Sequence, residues 1–205
     1  MQIISHPSDN FPTQASIVSR VVDHLGDNYR PSHVILDGAD YSNEPTLLDE
    51  FRDVAFSWTR DRPTDRTPSH VRRLMQREEC TNLIWFSRKA IGYDEVLFTW
   101  VVAHELRHVY QSRYDFPRAD IRSMVRELRR KQEFTDLPPS VFPPEEIDSD
   151  ACALRVAKEI CGPEYASRFL SAHPLPRCPY PAYLKLLECV RLKCLNELGV
   201  RNEAG

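Results

Sequence analysis

Apolar positions recur along this chain with two periods, and the changes of period mark its elements. In TQASIVSRVVDHLGD (13–27), Ile17, Val18, Val21, Val22 and Leu25 keep helical spacing, and Gly26 is placed to end the helix. SHVILDG (32–38) is a short β-branched run that predicts a strand closed by a turn, and TNLIWFSR (81–88) predicts a second strand. LLDEFRDVAFSW (47–58) returns to a helical pattern, and HVRRLMQREE predicts a short helix. Between those two, TRDRPTDRTPS (59–69) is polar, carries two prolines and reads as surface loop.

The longest periodic stretch follows Gly92. Asp94 is placed to cap a helix from about Glu95 to Arg113. PRADIRSMVRELRRKQ (117–132) opens on a proline suited to a first helical turn. Its Ile121, Met124, Val125 and Leu128 form an apolar stripe, and Arg118, Arg122, Arg126 and Arg130 form a second stripe at i+4 spacing. DLPPSVFPP (136–144) is a stiff connection into the helix EEIDSDACALRVAKEIC (145–161), which Gly162-Pro163 stops. PLPRCPYP (174–181) reads as extended, and AYLKLLECVRLKCLNELG (182–199) as a closing helix capped by Gly199. No internal repeat is visible. The pattern predicts a single α+β domain over residues 1–205, mainly helical, with a small sheet that includes 32–37 and 81–88 packed on the 95–113 helix.

Composition narrows the function classes. A length of 205 residues suits one domain with a real core. A net charge of -3 removes the bulk electrostatic case for nucleic acid or an anionic membrane as partner. Six glycines against 16 prolines argue against glycine-rich phosphate loops. The longest apolar runs, such as VLFTWVVA, fall short of the roughly 18 residues of a membrane span. MQIISHPSDNFPTQ has neither the basic nor the apolar segment of a secretory leader, so the expected location is cytoplasmic. Cys80, Cys152, Cys161, Cys178, Cys189 and Cys194 form no C-x-x-C pair and are expected to be reduced, packed as small hydrophobes.

The chemistry concentrates in VVAHELRHVYQSR (101–113). His104, Glu105 and His108 spell H-E-x-x-H, which puts both imidazoles on one helix face a turn apart. Two imidazoles so placed can share a Zn²⁺, and Glu105 can take a proton from a water held there. The flanks LFTWVVA and VYQ bury much of this helix, and buried His and Glu groups need partners. A catalytic zinc needs a third protein ligand and an open position. Glu146, 38 residues beyond His108, stands at i, i+4 with Asp150, on a face continued by Ala153, Ala157 and Ile160. If Glu146 is that third ligand, Asp150 can accept a hydrogen bond from the second nitrogen of a ligand histidine. The competing reading is a solvated first turn whose acidic residues suit the helix dipole, which accounts for Glu145, Asp148 and Ser149.

HELRH followed by Glu146-Ile147-Asp148-Ser149-Asp150 resembles the gluzincin metallopeptidases, in their small single-domain form. The resemblance covers roughly residues 81–161. It implies a zincin-like core, Zn²⁺ held by His104, His108 and Glu146, Glu105 as general base, Asp150 supporting a histidine, and hydrolysis of a peptide bond in a protein or peptide substrate. It also casts TNLIWFSR as the strand along the substrate cleft. Gluzincins use a further Tyr or His on the oxyanion; Tyr93, Tyr114, Tyr165, His173, Tyr180 and Tyr183 are all candidates here, whereas Tyr110 is turned about 200° from His108 and reads as structural.

Two rivals remain open. The zinc can serve a regulatory or binding module without turnover, a reading favoured if a protein ligand such as Cys152 closes the fourth position. Alternatively the chain holds no metal and presents its arginine stripe to a partner; a solvated helix face is the plainer account of that stripe. His6, His24, His33, His70 and His173 follow no ligand spacing and read as surface or satisfied core histidines.

Overall fold

The two apolar runs HVILD and LIWF form neighbouring parallel strands in a computed structural model of the chain. It describes residues 1–6, 10–41, 54–58, 66–114, 118–130, 143–172 and 187–188, the side chains of 128–129 and 170–172 excepted. These fall into two units, Met1–Tyr114 and Asp115–Gly205. The fold is mixed α+β.

In the first unit, β1 (Gln2–His6), β2 (His33–Asp37), β3 (Ala55–Trp58) and β4 (Leu83–Phe86) form one sheet in the order β1-β2-β4-β3. β1, β2 and β4 run parallel and β3 runs antiparallel to β4. β2 and β4 are buried along their whole length, which explains their unbroken apolar sequences: an inner strand has neighbours on both faces. Alternation sends Ile35, Leu83 and Trp85 to one face, where Val71, Leu74 and Met75 of α2 (Ser69–Met75) cover them. The other face carries Phe86, which meets Phe98 of α4 (Glu95–Arg113) edge-on at 5.3 Å. The predicted packing is present for 81–88 through Phe86, and β3 also packs on this helix. α1 (Pro12–Leu25) buries Ile17, Val18, Val21 and Val22 and packs along α4. Gly26, at φ 86°, ends α1 as its sequence position predicts. A short helix, α3 (Arg88–Ile91), links β4 to α4.

The second unit holds α5 (Arg118–Arg130), α6 (Pro144–Cys161) and α7 (Pro163–Ala172), with α6 packed on both others. Gly162, at φ 92°, stops α6, and Pro163 opens α7 at once, where its missing N–H costs nothing. The predicted closing helix 182–199 and the proline-rich 136–142 lie outside the described residues, apart from helical 187–188.

One expectation needs correcting, and two elements had none. Residues 55–58 are a strand, not the end of a helix, because Phe56 and Trp58 pair with Trp85 and Leu83 across the ladder. β1 has no sequence signal of its own; it is a half-exposed edge strand that exists by pairing with β2. α7 was not anticipated, because one Gly-Pro serves as both stop and start. Among the described cysteines, Cys80 and Cys152 are buried and Cys161 is half-buried.

His33 opens β2 and is 4% exposed, with Nδ1 3.0 Å from the Ser32 hydroxyl. Burial holds its pKa below the usual 6.5; Glu79 pulls it up, while Arg77 and the chain's amino terminus push it down. The unfolded chain thus binds this proton more readily. The His33 contribution to stability is complete above about pH 6.5 and is lost as pH falls toward the depressed folded value. Urea midpoints measured from about pH 8 down to pH 5 are expected to fall, and His33→Asn to flatten the part of that fall below about pH 6.5. An unchanged pH profile in the variant would show that other groups carry the acid sensitivity.

Candidate metal centre

α4 is set by its sequence at its N-terminus and along its length. The Asp94 carboxylate accepts from the backbone N–H groups of Val96 (2.8 Å) and Leu97 (3.1 Å), as its position predicts. Val96, Phe98, Trp100, Val102, Ala103, Leu106 and Val109 are buried. Thus the helix that carries His104, Glu105 and His108 is held along its length by the core of the first unit. His104 and His108 themselves are half-buried at its surface.

The two imidazoles converge. Their Nε2 atoms stand 3.1 Å apart, with the rings edge-to-face and 77° between their planes. His108 Nδ1 lies 2.9 Å from Gln111 Oε1, which can only accept, so the proton sits on Nδ1. In the neutral ring, that leaves a lone pair on His108 Nε2, directed at His104 Nε2. Two facing lone pairs repel, so a proton or a cation belongs between them. Nitrogens bound at about 2.0–2.1 Å to one tetrahedral Zn²⁺ stand roughly 3.3 Å apart. The observed 3.1 Å fits that donor set. Gln111, three residues past His108 and hence on the same face, joins the candidate site through this contact; its sequence signal is the i, i+3 spacing.

The neighbouring residues on α4 divide between chemistry and packing. Glu105 is only 7% exposed. Arg107 is buried: Nη1–H donates to the Tyr29 hydroxyl at 2.6 Å, and its guanidinium lies 4.5 Å from the centre of the Tyr110 ring. Tyr110 stacks on Tyr29 at 4.7 Å, in keeping with the structural role expected of it. Of the oxyanion candidates, Tyr114 is exposed and donates to Asn28 Oδ1 at 2.9 Å. Tyr165 is exposed in the second unit, and His173, Tyr180 and Tyr183 lie outside the described residues.

Glu146 and Asp150 stand one turn apart on α6 in the second unit, Glu146 half-buried and Asp150 buried. Asp148 and Ser149 were assigned to a solvated first turn. They are buried instead, because every residue from Ile147 to Leu154 is enclosed. Arg118, Arg122, Arg126 and Arg130 on α5 are all exposed, and Ile121 and Met124 on its opposite side are buried, the arrangement of a solvated helix face.

β4 was expected to lie along a substrate cleft. It pairs with β2 on one side and β3 on the other, so both its hydrogen-bonding edges are used. Among the described residues, β1 and β3 have no strand on their outer edges, so these two strands, and not β4, have backbone groups to offer.

No helix among the described residues is long and apolar enough to cross a membrane. Compared with models of protein families, with curated proteins and with solved structures, the chain matches none.

Proposed function

We propose that this chain is a zinc-dependent metallopeptidase with a zincin-like core, its metal held by His104, His108 and Glu146. The observation that carries this reading is the convergence of the two Nε2 atoms at 3.1 Å with His108 Nδ1 tied to Gln111. That arrangement points two imidazole nitrogens at one place and holds the His108 ring in the ligating tautomer. Glu146 is the carboxylate that completes a His₂Glu set, with Asp150 one turn on as the acceptor for the second nitrogen of a ligand histidine. When bound, zinc supplies Lewis acidity that polarises an amide carbonyl and acidifies water.

The residues divide the remaining work. Glu105, the neighbour of His104 on a rigid helix, takes the proton of the attacking water on its carboxylate and passes it to the leaving amine nitrogen. His104 and His108 hold. Gln111 fixes the tautomer and orientation of His108. The outer edge of antiparallel β3 offers backbone N–H and C=O groups to an extended substrate, which can bind as an added strand through main-chain hydrogen bonds.

The test is metal analysis of the purified chain with peptide cleavage measured on the same sample. About one equivalent of zinc per proposed site is expected, with loss of the cleavage-supporting equivalent in His104→Gln/His108→Gln. Gln111→Ala should keep the ligands but weaken zinc by about 10–100-fold, the usual cost of removing a partner that orients a ligand. Zinc content and affinity unchanged in His104→Gln/His108→Gln, with the protein folded, would sink the reading.

A further inference from the structure

On the other face of the sheet from α4, a second cluster of ligand-type side chains meets at the carboxyl ends of β1 and β2. His6 is the last residue of β1 and Asp37 the last of β2, and the two are register partners. His70 reaches them from the first turn of α2, which covers that face. One donor nitrogen from each histidine and an oxygen of Asp37 lie within 4.8 Å of one another.

The hydrogen bonds around Asp37 leave one place unfilled. Its carboxylate is fully buried. Oδ2 accepts from the Trp85 indole (2.9 Å) and the Tyr41 hydroxyl (3.0 Å) and lies 2.8 Å from His70 Nε2. Oδ1 accepts from the Ala39 N–H at 3.0 Å, and its other side faces His6 Nδ1 at 3.5 Å. That ring nitrogen is buried and has no hydrogen-bond partner among the described residues. A buried imidazole nitrogen without a partner is costly, and here it points at a carboxylate lone pair. Burial raises the proton affinity of Asp37, but its bonds from His70, Trp85 and Ala39 outweigh that and keep it ionised below the usual carboxylate range.

We propose that His6, Asp37 and His70 form a second site for a divalent cation, of the class that prefers imidazole and carboxylate, with Zn²⁺ foremost. His6 Nδ1, Asp37 Oδ1 and His70 Nε2 are the ligand atoms, and binding releases to solvent the proton that His70 Nε2 shares with Asp37 Oδ2. The His6 and His70 rings stack at 3.7 Å and 4° from parallel, so sharing an ion requires one ring to tilt. His6 has the room: it ends an edge strand and its side chain is 38% exposed. An ion there ties the edge strand β1 to β2 and to α2, the three elements that the ligands come from. This site is structural rather than catalytic and is independent of the H-E-x-x-H helix, which packs on the opposite face.

The experiment is equilibrium dialysis of the full chain against Zn²⁺, with Co²⁺ absorption as a second probe. The folded His104→Gln/His108→Gln protein is expected to retain about one equivalent, and a zinc-dependent rise in Tm with it. Adding His6→Gln should weaken that equivalent by more than about 100-fold, beyond the cost of losing an outer partner. His6→Gln is the clean variant because His6 Nδ1 has no hydrogen bond to lose and the donors to Asp37 stay. In the otherwise unaltered chain, His6→Gln should likewise remove about one equivalent. A zinc stoichiometry and affinity indifferent to both His6→Gln and His70→Gln overturns the proposal. Failure of the catalytic reading looks different: zinc then responds to His6→Gln and ignores His104→Gln/His108→Gln.

Discussion

Glu105→Gln is expected to leave zinc bound and to lower kcat for peptide cleavage by about 10²–10⁴-fold, the usual worth of a positioned general base. The amide is nearly isosteric, so the buried site that encloses a residue only 7% exposed should tolerate it. His104 and His108 keep their convergence, because their geometry rests on the helix backbone and on Gln111. KM should change little, since Glu105 acts on a proton and not on the substrate's side chains. Labelled casein or a peptide library, with zinc content measured on the same sample, provides the readout. A zinc-loaded variant that cleaves as fast as the wild type ends the peptidase assignment. Zinc bound in both proteins with cleavage by neither favours a regulatory or binding module.

Glu146→Ala is expected to cost more than about 100-fold in zinc affinity at the H-E-x-x-H site, and to abolish cleavage with it. Asp150→Asn, one turn on, should cost less, about 10–100-fold, because it removes a supporting partner and not a ligand. The two variants therefore separate the roles assigned to the face they share. Circular dichroism should show α6 intact in both, since the buried Ile147, Ala151, Ala153 and Leu154 that anchor it are unchanged in either variant. Retention of full zinc affinity in folded Glu146→Ala would remove this residue from the site and send the search for a third ligand elsewhere.

The parts of the molecule legible in its sequence are those whose determinants lie within a turn or two of each other. Asp94 caps α4, and Gly26 and Gly162 end α1 and α6 at positive φ. The i, i+4 spacing of His104 and His108 sufficed to place both nitrogens together, because one helix holds both residues. Gln111 carries the same class of signal, three residues past His108 on the same helix face. β1 and β3 show where such signals end. QIISH has no strand signal of its own without β2 beside it, and AFSW continues a helical pattern until it is paired with LIWF. Asp148 and Ser149 look like solvated polar residues in sequence, yet they are buried.

The two histidine clusters draw the final contrast. Short-range geometry settles the first: α-helical rise and twist carry His104 to His108 whatever the rest of the chain does. Nothing local links His6, Asp37 and His70, which come from β1, β2 and α2. They meet because parallel strands must be joined by a crossover, which carries the chain away from β1 before β2 returns beside it. The register then aligns the last residue of one strand with the last of the next. The helices and one candidate centre follow from local chemistry, while the sheet order and the second cluster were decided by which distant apolar strands could bury one another.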